Sequence, residues 1–150
     1  MTGSESLRAT SLRGLRALAV IFDVGEEAEM HGLMTEVLRG EIETKLAAAG
    51  LEVFQPGSIS EVTGSPVLGV CVRIVRFDGY PQEFAYLISL DLDEWIYLGR
   101  RESVRAIAST WHTGLVGTVP GLNLGKLTSP LLQCVDEFIS DYQIVNACSV

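Results

Sequence analysis

Three long runs of alternating apolar and polar residues, spread over positions 67–111, constrain the fold of this chain more than any other feature. From Val67 to Phe77, Leu68, Val70, Val72 and Ile74 fall on one side, and Val67, Gly69, Cys71, Arg73 and Val75 on the other. From Glu83 to Leu98, Phe84, Tyr86, Ile88, Leu90 and Leu92 share one side, and Ala85, Leu87, Ser89, Asp91 and Asp93 the other. A third run from Ser103 to Trp111 alternates Val104, Ala106, Ala108 and Thr110 with Arg105, Ile107, Ser109 and Trp111. A period of two places side chains on opposite faces of a strand, so the three runs predict an antiparallel meander with one apolar face and one mixed face. Asp78-Gly79, extended by Tyr80-Pro81, marks the first hairpin, and Gly99-Arg100-Arg101 the second.

The flanking segments supply the second layer. Leu15 to Val24 is almost continuously apolar and rich in β-branched residues, as expected of a strand buried on both faces in the middle of a sheet. From Leu33 to Ala49, Met34, Val37, Leu38, Ile42, Leu46 and Ala49 repeat every three to four residues, which predicts a helix stopped by Gly50. Leu51 to Phe54 then reads as a short strand closed by Gln55-Pro56-Gly57, and Ser58 to Ser65 as a polar connection. Near the end, Leu131, Leu132, Val135, Phe138, Ile139 and Tyr142 form the stripe of a second helix, with Ser129 as its cap and Pro130 in its first turn. The predicted fold is an α+β two-layer sandwich of order β-α-β-β-β-β-α, its sheet mixed, with both helices on one face. Residues 1–14 read as a polar extension, 15–147 as a single domain and 148–150 as a tail.

Charge and composition narrow the function. With 19 acidic residues against 11 basic ones the net charge is −8. That repels phosphate backbones and argues against nucleic acid as a partner. No apolar run reaches the roughly 18 residues of a membrane helix, so membrane insertion is not expected. The first fifteen residues have no apolar stretch of secretory type, so the chain as given reads as cytoplasmic, or as periplasmic or envelope-located if a signal was removed. An apolar fraction of 47% with only 20% charged residues suggests surface buried between subunits.

Chemistry is sparsely signalled. Cys71, Cys134 and Cys148 are far apart and odd in number, so neither a disulfide framework nor a metal site is expected. No cofactor motif is recognised, and no catalytic residue is assigned. Glu26, Glu27 and Glu29 read as a solvated acidic loop. Asp91 and Asp93 share a strand face about 7 Å apart, and read as the wet side of the strand. The glycines Gly114, Gly117 and Gly121 read as a release of the chain from the third strand toward the last helix. Trp111, His112, Thr113, Gly114 and Gly117 are the candidate binding residues of that segment. TxxTGxxGT lacks the lysine of a phosphate-binding loop.

AIASTWHTGLVGTV followed by VDEFISDYQIVN resembles the carboxyl-terminal half of a family of small uncharacterised bacterial proteins, which carry a TWxTGxxGTV stretch and end in a VDEFIxxYxxVN helix. GLMTEVLRGEIETKLAAAGLEV resembles the family's first helix and following strand, so the likeness covers residues 14–147. Members often have Ser or Thr as helix cap where this chain has Met34. The fold class also resembles small envelope-assembly domains such as the amino-terminal domain of TolB, an analogy at the level of fold. The resemblance identifies no activity.

Two functions follow as expectations. In the first, a non-catalytic interaction or assembly protein self-associates through the uncovered sheet face, with Val75, Leu87, Ile107 and Trp111 as contacts. In the second, the Trp111–Gly117 segment forms the loop of a small-molecule-binding domain or hydrolase, with His112 and the strand carboxylates in supporting roles.

Overall fold

The computed structural model describes residues 7–30, 32–55, 65–77, 80–120 and 124–147. A mixed five-stranded sheet forms one layer. Its strands are β1 (Ala17–Val24), β2 (Glu52–Phe54), β3 (Val67–Phe77), β4 (Tyr80–Leu98) and β5 (Arg101–Pro120), in the spatial order β2-β1-β3-β4-β5. β1 pairs in parallel with β2 and β3, whereas β3, β4 and β5 form the antiparallel meander. The α+β sandwich, its mixed sheet and the order of its strands and two long helices are as predicted, and the short helices over Leu7–Thr10 and Glu26–Met30 are additions to that order. Asp78-Gly79, residues 58–64, Gly121 and Cys148 lie outside the described residues.

Helices α1 (Leu7–Thr10), α2 (Glu26–Met30), α3 (Thr35–Ala48) and α4 (Thr128–Asn146) form the second layer. Their buried residues join one apolar cluster with the inward side chains of the sheet, among them Leu18, Val20, Leu68, Val70, Val72, Ile88, Leu90 and Leu92. α3 buries Leu38, Ile42 and Leu46, three positions on a single helical stripe. Met34 and Val37 stay exposed, because a stripe of that width cannot turn all six apolar positions inward. Gly50 adopts φ +101°, and Leu51 N–H donates to Leu46 O at 3.1 Å while Gly50 N–H donates to Ala47 O at 3.0 Å. This is the left-handed stop expected from the glycine.

Three helix details differ from expectation. α3 begins after Met34, which makes no side-chain cap. α4 begins at Thr128, after a 3-10 turn over Leu124–Leu127. Ser129 is therefore inside the helix instead of capping it, and burial of Leu124 and Leu127 fixes the entry where a capping hydroxyl would otherwise do so. Pro130 still lies in the first turn, where its missing N–H has no helical partner to lose. The acidic stretch at Glu26, Glu27 and Glu29 is helical, with Ala28 turned into the core.

Residues 7–14, within the segment read as a polar extension, are also part of the fold. Ala9 and Leu12 are buried in the common core. Asn146 of α4 ties the segment down: its Nδ2 donates to Leu12 O at 3.0 Å, and its Oδ1 accepts from Gly14 N–H at 2.9 Å. One or two apolar residues per turn in so short a stretch give no recognisable period.

Candidate functional site: the open face of the sheet

The sheet's second face carries no helix among the described residues. Which side chains it presents is decided by one irregularity. Leu92 pairs with Trp111 and Asp93 with Ser109, so Thr110 has no opposite number in β4. Such a bulge shifts the alternation of its strand by one residue. Before it, Ile107 pairs with Trp95 on the open face; after it, Trp111 pairs with Leu92 on the helix-covered face. Straight alternation from Val104 puts Trp111 beside Ile107 on the open face. The structure corrects this: Trp111 is 1% exposed and Ile107 is 64% exposed.

Trp111 is instead a hub of the core. Its ring meets Phe138 edge-on at 5.0 Å, and its indole Nε1–H donates to Asp141 Oδ2 at 2.9 Å. Above it lies the Arg8 guanidinium, 4.9 Å from the ring centre. Arg8 pairs with Glu137 at 2.8 Å and Asp141 at 3.0 Å, and donates to His112 O. Thr113 Oγ1 donates to Glu137 Oε2 at 2.9 Å. These contacts bind α1, α4 and β5 into one corner.

The five candidate binding residues do not converge. β5 runs unbroken to Pro120, so the segment from Trp111 to Gly117 is strand and not loop. Trp111, Thr113 and Gly117 face the helices, whereas His112 and Gly114 face the open side, as their pairing with Leu92, Leu90, Tyr86, Asp91 and Ser89 requires. The two glycines serve close approach. A Cβ at Gly114 would lie 2.9 Å from Ile88 O, and one at Gly117 only 2.6 Å from Tyr86 Oη. Glycine therefore keeps β5 hydrogen-bonded to β4 while Tyr86 occupies the space beside it.

Along the open face, three zones follow one another. At one end, β4 and β5 continue past the last β3 pairing, Val67 with Asp93, as a two-stranded ribbon over residues 94–108. The five β4 residues beyond that pairing extend it by about 17 Å. Trp95, Tyr97 and Ile107 are exposed on it, and Arg105 lies 5.2 Å over the Trp95 ring. The middle zone is polar and acidic. A depression of about 440 Å³ lies here, lined by Asp23, Gly69, Cys71, Ser89, Asp91 and Asp93 among others. His112 Nδ1 contacts the Oδ1 of Asp91, which lines the depression. Asp23 forms a two-pronged pair with Arg73, at 2.6 and 3.2 Å, and the guanidinium holds its carboxyl below the usual carboxylate range through that hydrogen bond and its charge. The far zone is apolar: Val75, Leu87 and Val116 are 64%, 42% and 75% exposed and line a shallow depression of about 490 Å³.

The Asp91–His112 pair was missed from sequence, where Asp91 had no histidine in view. Only the β4–β5 register, with its bulge, brings the two residues opposite one another. Among the described residues no serine or cysteine is hydrogen-bonded to His112, and no group of three or more His, Cys, Asp or Glu side chains is placed to hold a metal ion.

Fold and face together define a two-layer α+β sandwich with one helix-covered and one open sheet face. No protein-family model matches the chain, and no curated protein matches it at a significant level. The solved structures it resembles include a PelC dodecamer, a single-substitution variant from Paraburkholderia phytofirmans, at 16% identity over 87% of this chain and 90% of that one, with a TM-score of 0.46. A minor lipoprotein from Acinetobacter baumannii (14% identity, 87% and 92% covered, TM-score 0.33) and the rare lipoprotein B from Shewanella oneidensis (12%, 85% and 89%, 0.28) are also similar. These are loose likenesses that fix neither family nor activity. Among the described residues no helix is long and apolar enough to cross a membrane.

Proposed function

We propose that this chain is a non-catalytic interaction module that self-associates through its open sheet face. The observation that carries this reading is the exposure of Val75, Leu87, Val116 and Ile107 on a face that no described helix covers. Val75, Leu87 and Val116 are contiguous, with Ile107 separate on the ribbon, and a contiguous exposed apolar patch marks protein contacts more often than free surface. Trp111, buried under the helices, is no longer among the contacts.

The magnitudes favour a reversible association. Burying one such side chain completely contributes roughly 1.5–3 kcal/mol, and less where it is already half covered. Association costs about 4–15 kcal/mol in lost motion and side-chain ordering. Four residues therefore bring two copies near balance, and polar complementarity decides the rest. Light scattering coupled to size exclusion, run across micromolar concentrations, tests the reading. The expected result is a mass above the 16.3 kDa of one chain that falls on dilution. A single-chain mass at every concentration refutes it.

A further inference from the structure

We infer that the outer edge of β5 is a second contact between copies, in which β5 pairs antiparallel with the β5 of another chain about a two-fold axis at Val116. Backbone at the rim of the sheet makes this contact, which does not depend on burial of the open face.

Among the described residues β5 is an edge strand, paired with β4 alone. A long strand edge presents a row of N–H and C=O groups to which another chain can pair, and natural edges are blunted by brevity, charge or proline. The opposite edge is blunted: β2 is 3 residues long and begins with Glu52. β5 spans Arg101–Pro120, and from Ala106 to Gly125 the chain holds no Asp, Glu, Lys or Arg, its longest such stretch.

Two observations fix which backbone groups point outward. Arg8 Nη1 donates to His112 O at 3.2 Å, and it reaches β5 from α1, not from β4. On the far side of the sheet, Ala19 N–H donates to Pro66 O at 3.0 Å. Alternation from there turns the odd-numbered residues of β3 to β4 and the even-numbered residues of β4 to β5. The even-numbered residues of β5 beyond the bulge then point away from the sheet. Of these, His112, Gly114, Val116 and Thr118 are all exposed.

The ends of this row set the register. Pro120 has no N–H to donate, and His112 O is already held by Arg8. Pairing residue 112 with residue 120 brings the missing donor opposite the acceptor that is already satisfied. In that register Gly114 faces Thr118 and Val116 faces its own copy, with no charged side chain along the seam. The match at both ends is a property of β5 against itself, which commits the edge to a second copy. An antiparallel pair of identical strands is isologous, so the contact closes at two chains.

The test first spoils the open face of the full chain with Val75→Asp and Leu87→Asp, both at exposed positions. Edge pairing predicts that this chain is still a dimer by size exclusion with light scattering. Adding Thr118→Pro removes an outward N–H, leaves the β4 ladder intact and should make the chain monomeric, with circular dichroism confirming the fold. A second readout needs no proline. In a chain carrying Cys71→Ser and Cys148→Ser, Val116→Cys should give a disulfide-linked dimer on mild oxidation, because its paired Cα atoms lie about 5.5 Å apart. Ile107→Cys, also exposed on β5, should give none, since its two copies lie about 60 Å apart along the seam.

A face-spoiled chain that is monomeric where wild type is larger overturns the edge contact and leaves the open-face reading standing. A face-spoiled chain that stays dimeric with Thr118→Pro, or equal cross-linking at positions 107 and 116, overturns the edge contact alone. A wild-type mass unchanged by spoiling the open face, with cross-linking at position 116 only, overturns the open-face reading and leaves the edge contact. A wild-type chain that stays monomeric overturns both.

Discussion

Replacing Trp111 separates a core residue from an interface residue, and the structure sets the size of the effect. Trp111→Ala removes a ring that is 1% exposed, seated against Phe138 and under Arg8. Truncating a buried aromatic to alanine costs about 3–5 kcal/mol, from lost transfer energy and the cavity left behind. For a chain of 150 residues that lowers the melting temperature by roughly 6–20 °C. Trp111→Phe keeps most of the volume but loses the Nε1–H donor to Asp141. Hydrogen bonds to charged groups are worth about 1.5–3 kcal/mol, and Arg8 Nη2, 3.0 Å from the same carboxylate, holds the loss to the lower end. Urea unfolding followed by circular dichroism at two protein concentrations measures both. The Ala variant should be the weaker by at least about 1 kcal/mol relative to Phe, with the difference unchanged by concentration. In a Trp95→Phe background, the emission of Trp111 should be blue-shifted and poorly quenched by acrylamide in the folded chain. A Trp111→Ala variant within about 0.5 kcal/mol of wild type, the range of ordinary surface substitutions, and impaired only in assembly, would show that the ring lies on the open face after all.

Two further predictions concern the open face and its cysteine. Arg73 lowers the Asp23 carboxyl below its ordinary value of 3.8, so the pair stabilises the fold above that pH and loses its contribution as pH falls through the lowered value. The stability difference between wild type and Asp23→Asn, read from urea midpoints, should therefore be constant near neutrality and disappear in strong acid; a difference that grows on acidification contradicts the pair. Cys71 is half-buried in the central depression, while Cys134 is buried with its thiol pushed up by burial and, less, by Glu137. In a Cys148→Ser variant, a thiol reagent at mildly alkaline pH should modify one cysteine quickly, identified as Cys71 by peptide mass, and the second only in denaturant. Rapid modification of Cys134 in the folded chain would refute this packing.

The sequence carried the architecture because alternation survives from Val67 to Arg76 in β3 and from Phe84 to Leu92 in β4: every buried residue described between Leu68 and Leu92 lies on the face predicted to point inward. The same rule failed in β5, where one unpaired residue at Thr110 reverses the count and no turn residue announces it. The glycines Gly114 and Gly117 misled for a related reason. They read as a loop, yet they relieve contacts with Ile88 and Tyr86 inside a continuous strand, and such crowding depends on the neighbouring strand. Asp91 and His112 are 21 positions apart, and only the register makes them a pair. The exposed apolar residues Val75, Leu87 and Ile107 were legible, because a position on an intact alternating run needs no partner to be assigned.

Thr110 has a genetic consequence. It is anchored by its hydroxyl, which donates to Glu94 Oε2 at 2.6 Å, but it faces no residue of β4. Loss of its codon would therefore shorten the strand and leave a regular ladder with Ile107 still outside and Trp111 still inside. Loss of a codon at His112 or beyond, with the bulge retained, would exchange inside for outside over the rest of the strand. The length of β5 is thus negotiable at one codon, and near that codon homologous genes can differ by a residue without disagreeing about a single face.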